Sequence, residues 1–306
     1  MKIFNNIKTF IKLIYSLDDR LHSIQKSIGR IEGRQLNVKT NKYFNDFEFQ
    51  VYSQWGEDGL IQHLVKSVAI ERPIFVEFGV ENYTECNTRF LLQNNNWTGL
   101  IIDGSEQHIR SIRSNSIYWR HNLKAECAFI NIDNINGILQ SNRITGDIGL
   151  LSIDIDGNDY WVWEAVSVVN PRIVICEYNS LWGASFAVST PYDSNFVRER
   201  AHFSGLYYGA SIAALTSLAD RKGYSLVGSN SAGNNAFFVR NDLLNMLVVR
   251  TPADAWIRSE FRESRNEGGQ LTYLSFDDRL KLLSDLPLVN VIDGTNRKIG
   301  ELYGHN

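Results

Sequence analysis

The stretch that decides the fold is Pro73-Ile-Phe-Val-Glu-Phe-Gly-Val-Glu-Asn-Tyr-Thr-Glu-Cys-Asn-Thr-Arg89. Its apolar run, Ile74–Phe78, ends at Gly79 and gives way to acidic and amide residues, and a helical pattern follows over residues 88–93. This order predicts a buried strand, a tight glycine turn and a helix, the opening unit of an α/β fold. Gly79 has no Cβ and permits close approach of a ligand, and Glu77 offers acceptor oxygens just before the turn.

The rest of the body repeats the alternation of apolar strands and helices. Strand patterns cover residues 97–103, 125–130, 148–153 and 172–177, and helical patterns cover residues 60–68, 135–141, 160–166 and 209–219. A hairpin pattern follows at residues 224–228 and 235–240, joined by Ser- and Asn-rich turn residues. This alternation predicts a Rossmann-like, mostly parallel sheet that is covered by helices on both faces.

Polar residues collect where these predicted strands end. They are Glu77, Asp103, Asp154, Asp156, Glu177 and Asn179. Ligands bind at the carboxyl edge of open α/β sheets, so this edge is the predicted site. Asp103 follows Gly79 by about two dozen residues, which is where a carboxylate is expected to hold a ribose diol.

Composition excludes several classes of protein. The chain has 306 residues, of which 43% are hydrophobic, so it can bury one substantial core. A net charge of −3 argues against a general nucleic-acid binder. Three scattered cysteines without a CxxC pair predict a reducing compartment, and we expect the cytoplasm. No apolar stretch approaches the roughly 18 residues of a membrane span, so no transmembrane segment is expected.

The N-terminal region carries a heptad pattern. Its apolar positions are Ile3, Ile7, Phe10, Ile14, Leu17, Leu21, Ile24, Ile28 and Ile31. Such a seam predicts a coiled coil that makes the protein a homo-oligomer. Two alternatives remain open: the basic first half could lie on an anionic membrane surface, or the helix could pack on the body of its own chain.

Gly29 and Gly33 predict that this helix ends near residue 33. We therefore predict four segments. They are an amphipathic helix (1–33), a polar connector (34–51), an α/β domain (52–250) and a C-terminal extension packed on the body (251–306). The extension carries no pattern to which chemistry can be assigned.

The motifs resemble those of the FkbM-like group of class I S-adenosylmethionine-dependent methyltransferases, over roughly residues 52–242. The matching stretches are Ser53-Gln-Trp-Gly-Glu-Asp-Gly59, Phe75-Val-Glu-Phe-Gly79, Gly99-Leu-Ile-Ile-Asp103-Gly-Ser105, Leu151-Ser-Ile-Asp-Ile-Asp-Gly-Asn-Asp159, Gly209-Ala-Ser211 and Asn235-Ala-Phe-Phe-Val-Arg240. The resemblance implies a seven-stranded sheet whose last strand is antiparallel. It also implies O-methylation, often of a sugar hydroxyl in a polysaccharide or glycoconjugate, and we expect the acceptor to be a glycan or a sugar nucleotide in surface polysaccharide biosynthesis.

The same resemblance implies roles for individual residues. Glu77 and Gly79 would line the methionine moiety of S-adenosylmethionine, Asp103 would hold the ribose, and Ser105 would flank it. Asn131 or Asp133 would reach the adenine edge. The region of Asp154 would face the transferred methyl group. The family's usual second glycine is missing near Glu81, which is a departure from the pattern.

Methyl transfer to a hydroxyl needs a group that takes or weakens its proton. The candidates are Asp154, Asp156 and His202, of which histidine titrates nearest neutrality. Mg²⁺ is a second route, because Asp154, Asp156, Glu177 and Asn179 would offer it hard oxygen ligands. The competing structural interpretation is that Asp156 and Asp159 cap the next helix and Glu177 pairs with an arginine.

Two other functions compete with this prediction. Asp154-Ile-Asp156 is a DxD pattern, which in many glycosyltransferases holds a divalent ion against a sugar nucleotide. Alternatively, the body is a non-catalytic assembly subunit that recruits partners through its coiled coil. The altered glycine turn favours the second alternative, whereas the pairing of Gly79 with Asp103 favours a methyltransferase.

Overall fold

The computed structural model describes residues 2–36 and 43–304. Its helices are α1 (Lys2–Gln35), α2 (Glu57–Ser67), α3 (Arg89–Asn94), α4 (Glu106–Ser114), α5 (Ser116–Arg120), α6 (Ile135–Ser141), α7 (Asp159–Ala165), α8 (Arg198–Ala201), α9 (Ile212–Lys222), α10 (Pro252–Ala255), α11 (Phe276–Leu282) and α12 (Ile299–Tyr303). Its strands are β1 (Ile74–Phe78), β2 (Thr98–Asp103), β3 (Leu123–Cys127), β4 (Gly146–Ile153), β5 (Val169–Glu177), β6 (Val188–Ser189), β7 (Tyr224–Ser229), β8 (Asn235–Arg240), β9 (Pro287–Asn290) and β10 (Asn296–Lys298).

The central sheet has seven strands in the order β3-β2-β1-β4-β5-β8-β7. Strands β1 to β5 pair with one another in parallel, and β8 runs antiparallel to both β5 and β7. The fold is therefore a Rossmann-like, mostly parallel sheet with flanking helices, as the sequence predicts. The chain steps from β1 out to β3 and returns to β4 beside β1. This reversal creates a crevice at the carboxyl ends of β1 and β4.

Helices cover both faces of the sheet, which explains why the strands are continuous apolar runs. On one face, Val76 and Phe78 of β1 pack with residues of α6, α7 and α9. On the other face, Phe75 and Ile101 pack with residues of α2, α3 and α4. Because alternate side chains of a strand point to opposite faces, β1 contributes to both cores.

Some predicted elements differ from the structure. The third strand is Leu123–Cys127 rather than 125–130, so residues 128–130 form part of the loop at its carboxyl end. The apolar residues after the strand line that loop and do not pair in the sheet, which is why the pattern misplaced it. Helices α4 and α5 were not predicted, because their windows are short and rich in charged and polar residues.

Helix α1 extends to Gln35, beyond the predicted end near Gly33. The two glycines lie at the contact with the body: a Cβ on Gly29 would meet Val51 Cγ2 at 2.3 Å. Lys66 Nζ also donates to the Gly33 carbonyl at 2.7 Å. Gly29 and Gly33 thus let the helix approach the body closely. Of the predicted connector, residues 37–42 lie outside the described residues.

The C-terminal stretch forms a second, three-stranded sheet in the order β10-β9-β6. Strand β6 comes from the segment after β5, so this sheet joins two distant parts of the chain. Its core contains Trp182 and Tyr207 together with Leu283, Leu288 and Ile299. Among the described residues, no helix has both the length and the apolar character needed to cross a bilayer.

Candidate functional site

A cavity of about 940 Å³ lies over the carboxyl ends of β1, β2, β4 and β5. Four loops build its walls: residues 79–87 after β1, 128–130 after β3, 154–158 after β4, and 196–205. Residues 263–269 of the C-terminal stretch also line the cavity, although no chemistry was predicted for this stretch from the sequence. The cavity therefore lies at the edge where the sequence placed the site.

Gly79 forms the turn after β1 in a left-handed conformation, with φ of 69°. A Cβ at this position would lie 1.6 Å from the carbonyl oxygen of Asp154. Glycine is thus required here because the ends of β1 and β4 approach each other closely, whether or not a ligand also approaches the turn. Glu81 and Tyr83 in the following loop also have positive φ, of 46° and 61°. The loop folds tightly without a second glycine.

Glu77 lines the cavity, but its carboxylate is directed at the protein. The amides of Asn87 and Thr88 donate to it at 2.8 and 3.1 Å, and the Thr88 hydroxyl donates as well. Burial raises the pKa of Glu77 to about 7. The side chain therefore ties β1 to the start of α3 and fixes the loop of residues 79–87.

Asp103 ends β2 and is buried, with 7% of its surface exposed at the cavity. Its Oδ2 accepts from the Glu81 amide at 2.8 Å, and its Oδ1 accepts from the Ser105 amide at 2.8 Å. The ring of His108 lies 3.2 Å from the same Oδ1. These contacts fix the carboxylate rigidly at the cavity wall, and a carboxylate has further lone pairs for a ligand.

The predicted contacts after β2 and β3 are placed differently from the expectation. Ser105 accepts from the His108 amide and caps α4, and its side chain does not line the cavity. Asn131 Oδ1 accepts from the amides of Asp133 and Asn134, so it stabilises a turn. Neither Asn131 nor Asp133 lines the cavity, and the half-exposed ring of Phe129 does. The misplaced third strand is the reason why Phe129 was missed.

The three aspartates of the loop after β4 have different surroundings. Asp156 has φ of 58°, is exposed, and receives a 2.7 Å hydrogen bond from Arg198 Nη1. Asp159 is buried at the start of α7, where its two oxygens accept from the amides of Ile155 and Gly157 at 2.8 and 2.9 Å. Asp154 lines the cavity. Burial, and then the charges of Asp156 and Asp159, raise the pKa of Asp154 well above its usual range.

Glu177 and Asn179 follow β5 and have different surroundings. Glu177 lines the cavity, and burial together with the charge of Asp154 raises its pKa. Asn179 Nδ2 donates to the carbonyls of Leu206 and Tyr208 at 3.0 Å, and its Oδ1 accepts from the Leu181 amide at 3.1 Å. The side-chain amide of Asn179 makes its hydrogen bonds to backbone groups, so it does not lie with the carboxylates of Asp154 and Glu177. Asp159 takes its place there, 4.8 Å or less from Asp154 and Glu177.

His202 does not line the cavity, although its neighbours Phe203 and Ser204 do. Its Nδ1 lies 2.7 Å from the Ser204 hydroxyl, and burial lowers its pKa. The cation of this loop that enters the cavity is Arg198. Its guanidinium stacks on the Tyr208 ring at 3.8 Å and donates to Asp156 and to the Gly205 carbonyl.

Two buried carboxylates fix the loop that precedes α2. Asp58 Oδ2 accepts from the amides of Val51, Tyr52 and Ser53 at 2.6–2.7 Å. Glu57 is fully buried and accepts from Asn230 and Asn235, which ties this loop to the turn between β7 and β8 and to the start of β8. The two carboxylates have structural roles, and Gln54 is the residue of this loop that lines the cavity.

Comparisons with known proteins find no matching family model and no matching curated protein. Several solved structures are similar to this chain at low identity. The N-terminal domain of EvdMO1, solved with S-adenosylhomocysteine (SAH), is 11% identical, with a TM-score of 0.41, over 69% of this chain and 94% of that one. An O-methyltransferase from Bacillus cereus in complex with SAH is 15% identical, with a TM-score of 0.41, over 70% and 88%.

A third structure is an S-adenosylmethionine-dependent methyltransferase from Clostridium acetobutylicum ATCC 824. It is 11% identical, with a TM-score of 0.40, over 70% of this chain and 98% of that one. These likenesses are too distant to carry an inference about activity. What this chain binds has to be inferred from its own site.

Proposed function

We propose that this protein is an S-adenosylmethionine-dependent O-methyltransferase. The observation that supports this most directly is the position of Asp103, a buried carboxylate fixed at the end of β2 beside the Gly79 turn and open to the cavity. In open α/β sheets an acid at this place accepts hydrogen bonds from the hydroxyls of a ribose. The cavity also lies at the reversal of strand order, where nucleoside cofactors bind in such folds.

The cofactor would span the cavity from β3 to β4. Asp103 would accept from the ribose hydroxyls, and the loop with Phe129 and Ile130 would contact the base. The methionine end would lie along Gly79 and Glu81, near the end of β4. Both the sulfonium and the ammonium of the cofactor are cationic, which suits the carboxylates that surround this half of the cavity.

The acceptor would be a neutral, polyhydroxylated molecule such as a glycan end in surface polysaccharide biosynthesis. The acceptor side of the cavity presents Gln54, Asn235, Asp156 and Arg198, which donate to and accept from hydroxyls. Carboxylates outnumber the two arginines that line the cavity, Arg198 and Arg265. An acceptor with a phosphate would meet repulsion there, so we favour a neutral sugar.

In the reaction, the acceptor oxygen forms a bond to the methyl carbon while the bond from carbon to sulfur breaks. The electron pair of that bond stays on sulfur and gives SAH, and the hydroxyl proton passes to a base. Asp154 and Asp156 line the cavity, whereas His202 lies behind its wall, so we assign the proton to this aspartate pair. Positioning of the two reactants supplies much of the rate.

Calorimetric titration of the full chain with SAH tests the proposal. We expect saturable binding that Asp103→Ala weakens by about 1–3 kcal/mol, because the hydrogen bonds to the ribose are lost. Asp133→Ala, an exposed carboxylate outside the cavity, is the matched control and should bind like the wild type. Absence of SAH binding, or stabilisation by a sugar nucleotide with Mn²⁺ instead, would reject the methyltransferase assignment.

We also propose that the protein self-associates through α1. The apolar positions Leu17, Leu21, Ile24, Ile28 and Ile31, here called the seam, are 49–64% exposed. The body packs on another side of the helix, through Gly29 and Gly33. Because the seam has heptad spacing, the same surface of a second copy is its natural partner.

A further inference from the structure

Three carboxylates converge beside the cavity at the ends of β4 and β5. They are Asp154, Asp159 and Glu177, and one oxygen of each lies within 4.8 Å of the others. Oxygen ligands bind Mg²⁺ at about 2.1 Å and Ca²⁺ at about 2.4 Å, so two ligands of one ion lie at most about 4.2–4.8 Å apart. The observed spacing is therefore compatible with three ligands of a single cation.

The hydrogen bonding of this cluster is incomplete. Glu177 is 7% exposed, and its Oε2 has no hydrogen-bond partner within the described part of the chain. Asp159, in contrast, is held by the amides of Ile155 and Gly157, which fixes the direction of its carboxylate. A buried carboxylate without a partner is costly, so the unpaired oxygen of Glu177 calls for a cation or a proton.

The nearby protein cation does not satisfy the cluster. Arg198 donates to Asp156 at 2.7 Å and to the Gly205 carbonyl at 2.7 Å, and its guanidinium stacks on the Tyr208 ring. Its single charge faces four carboxylates: Asp154, Asp156, Asp159 and Glu177. When these carboxylates are ionised, the net charge is negative, and a divalent cation would compensate it.

We propose that Asp154, Asp159 and Glu177 bind one divalent cation of the Mg²⁺ or Mn²⁺ class. Three carboxylate oxygens with further positions open to water or to a ligand are what these ions commonly use. Asp154 and Glu177 line the cavity, so the open positions face the space of the acceptor. This set differs from the one that the sequence predicts, because Asp159 replaces Asp156 and Asn179.

A role for the ion in methyl transfer rests on the proposed function. The ion would bind the acceptor hydroxyl and make it more acidic. Asp156, which pairs with Arg198 and is not one of the proposed ligands, would then take the proton. The ion-binding site itself does not depend on that role.

Binding of the ion is measured without cofactor or acceptor. The EDTA-treated full chain is titrated with MgCl₂ and MnCl₂, followed by thermal unfolding and by the electron paramagnetic resonance of Mn²⁺. We expect one Mn²⁺ per chain and a higher Tm with either ion. Glu177→Gln and Asp159→Asn should each weaken binding by about tenfold or more. Glu199→Gln, an exposed carboxylate of the same cavity, is the control and should leave the affinity unchanged.

In EDTA, Glu177→Gln should raise the Tm, because it removes one of the mutually repelling charges, and this also shows that the variant folds. If the wild type binds no ion at millimolar concentrations, or if Glu177→Gln binds Mn²⁺ as tightly as the wild type, the site is refuted and the cluster holds a proton instead. SAH titration in EDTA separates this failure from failure of the proposed function, since the cofactor contacts at Asp103 do not involve the ion.

Discussion

At the end of β1, the backbone of Gly79 lies against the carbonyl oxygen of Asp154. Two constraints act on this residue at once: a φ of 69°, and contact with an atom that cannot move aside because it belongs to the backbone of a neighbouring strand end. The turn therefore determines how closely the ends of β1 and β4 approach each other. The cavity lies over these two strand ends.

Gly79→Ala should destabilise the protein by about 3 kcal/mol or more, because the left-handed conformation and the clash add together. Gly223→Ala is the matched control, since Gly223 is left-handed, with φ of 82° and ψ of 32°, but has nothing within 4 Å of an added Cβ. It should cost only the conformational term, about 1–2 kcal/mol. Urea unfolding of the three proteins measures both effects, and equal losses would show that the contact with Asp154 does not matter.

Among the elements, α2 carries a half-buried titratable group, His63, on its packed side. The ring of His63 stacks on Phe47, with centroids 3.6 Å apart. Burial, with a smaller contribution from the charge of Lys66, lowers the pKa of His63 from 6.5 to about 4. The folded protein thus holds this ring neutral, and protonation opposes the packing of α2 on residues 44–47.

The stability that the neutral His63 provides should be complete above pH 6.5 and be lost as the pH falls from 6.5 toward about 4. His63→Phe keeps the ring contact and removes the titration. Between about pH 8 and about pH 4.5, the wild type should lose about 1–2 kcal/mol more than the variant, a value reduced for the partial exposure of the ring. Chemical denaturation at both values checks this, and parallel losses in the two proteins would contradict it.

At the scale of the whole molecule, α1 joins two surfaces. One side contacts the body at Val51 and Lys66, and the seam faces outward. An exposed apolar stripe of this regularity is rare on a monomer. We therefore expect the chain to be an oligomer whose bodies are held around the associated helices.

Replacement of Leu21 and Ile28 by Glu should convert the oligomer to a monomer, because like charges would face each other in the seam. Ser23→Glu adds a charge to the same helix outside the seam and should leave the assembly intact. Light scattering after size-exclusion chromatography measures the mass against 35.0 kDa for one chain. A wild type that runs as a monomer at micromolar concentration would exclude this mode of association.

The second sheet adds a further connection at this scale. It joins β6 to the C-terminal strands β9 and β10, and the same stretch places Glu263 and Arg265 in the cavity wall. The C-terminal stretch is therefore part of the site in addition to covering the body. Nothing in its local pattern indicated this, because its partners are distant in the sequence.

Local sequence determined most elements of the body, with the exceptions of α4, α5 and the bounds of β3, and the edge of the sheet where the cavity lies. Buried parallel strands are apolar along their whole length, and polar residues follow at their ends. For this reason the strand ends at Gly79 and Asp103 could be predicted from the sequence. Tertiary structure alone decided which carboxylates meet. Glu77 accepts a hydrogen bond from the segment at the start of α3, Asp156 forms an ion pair with Arg198, and Asp159 lies close to Glu177. The physical reason is that spacing along the chain fixes the order of these groups, whereas their direction depends on contacts between segments far apart in the sequence.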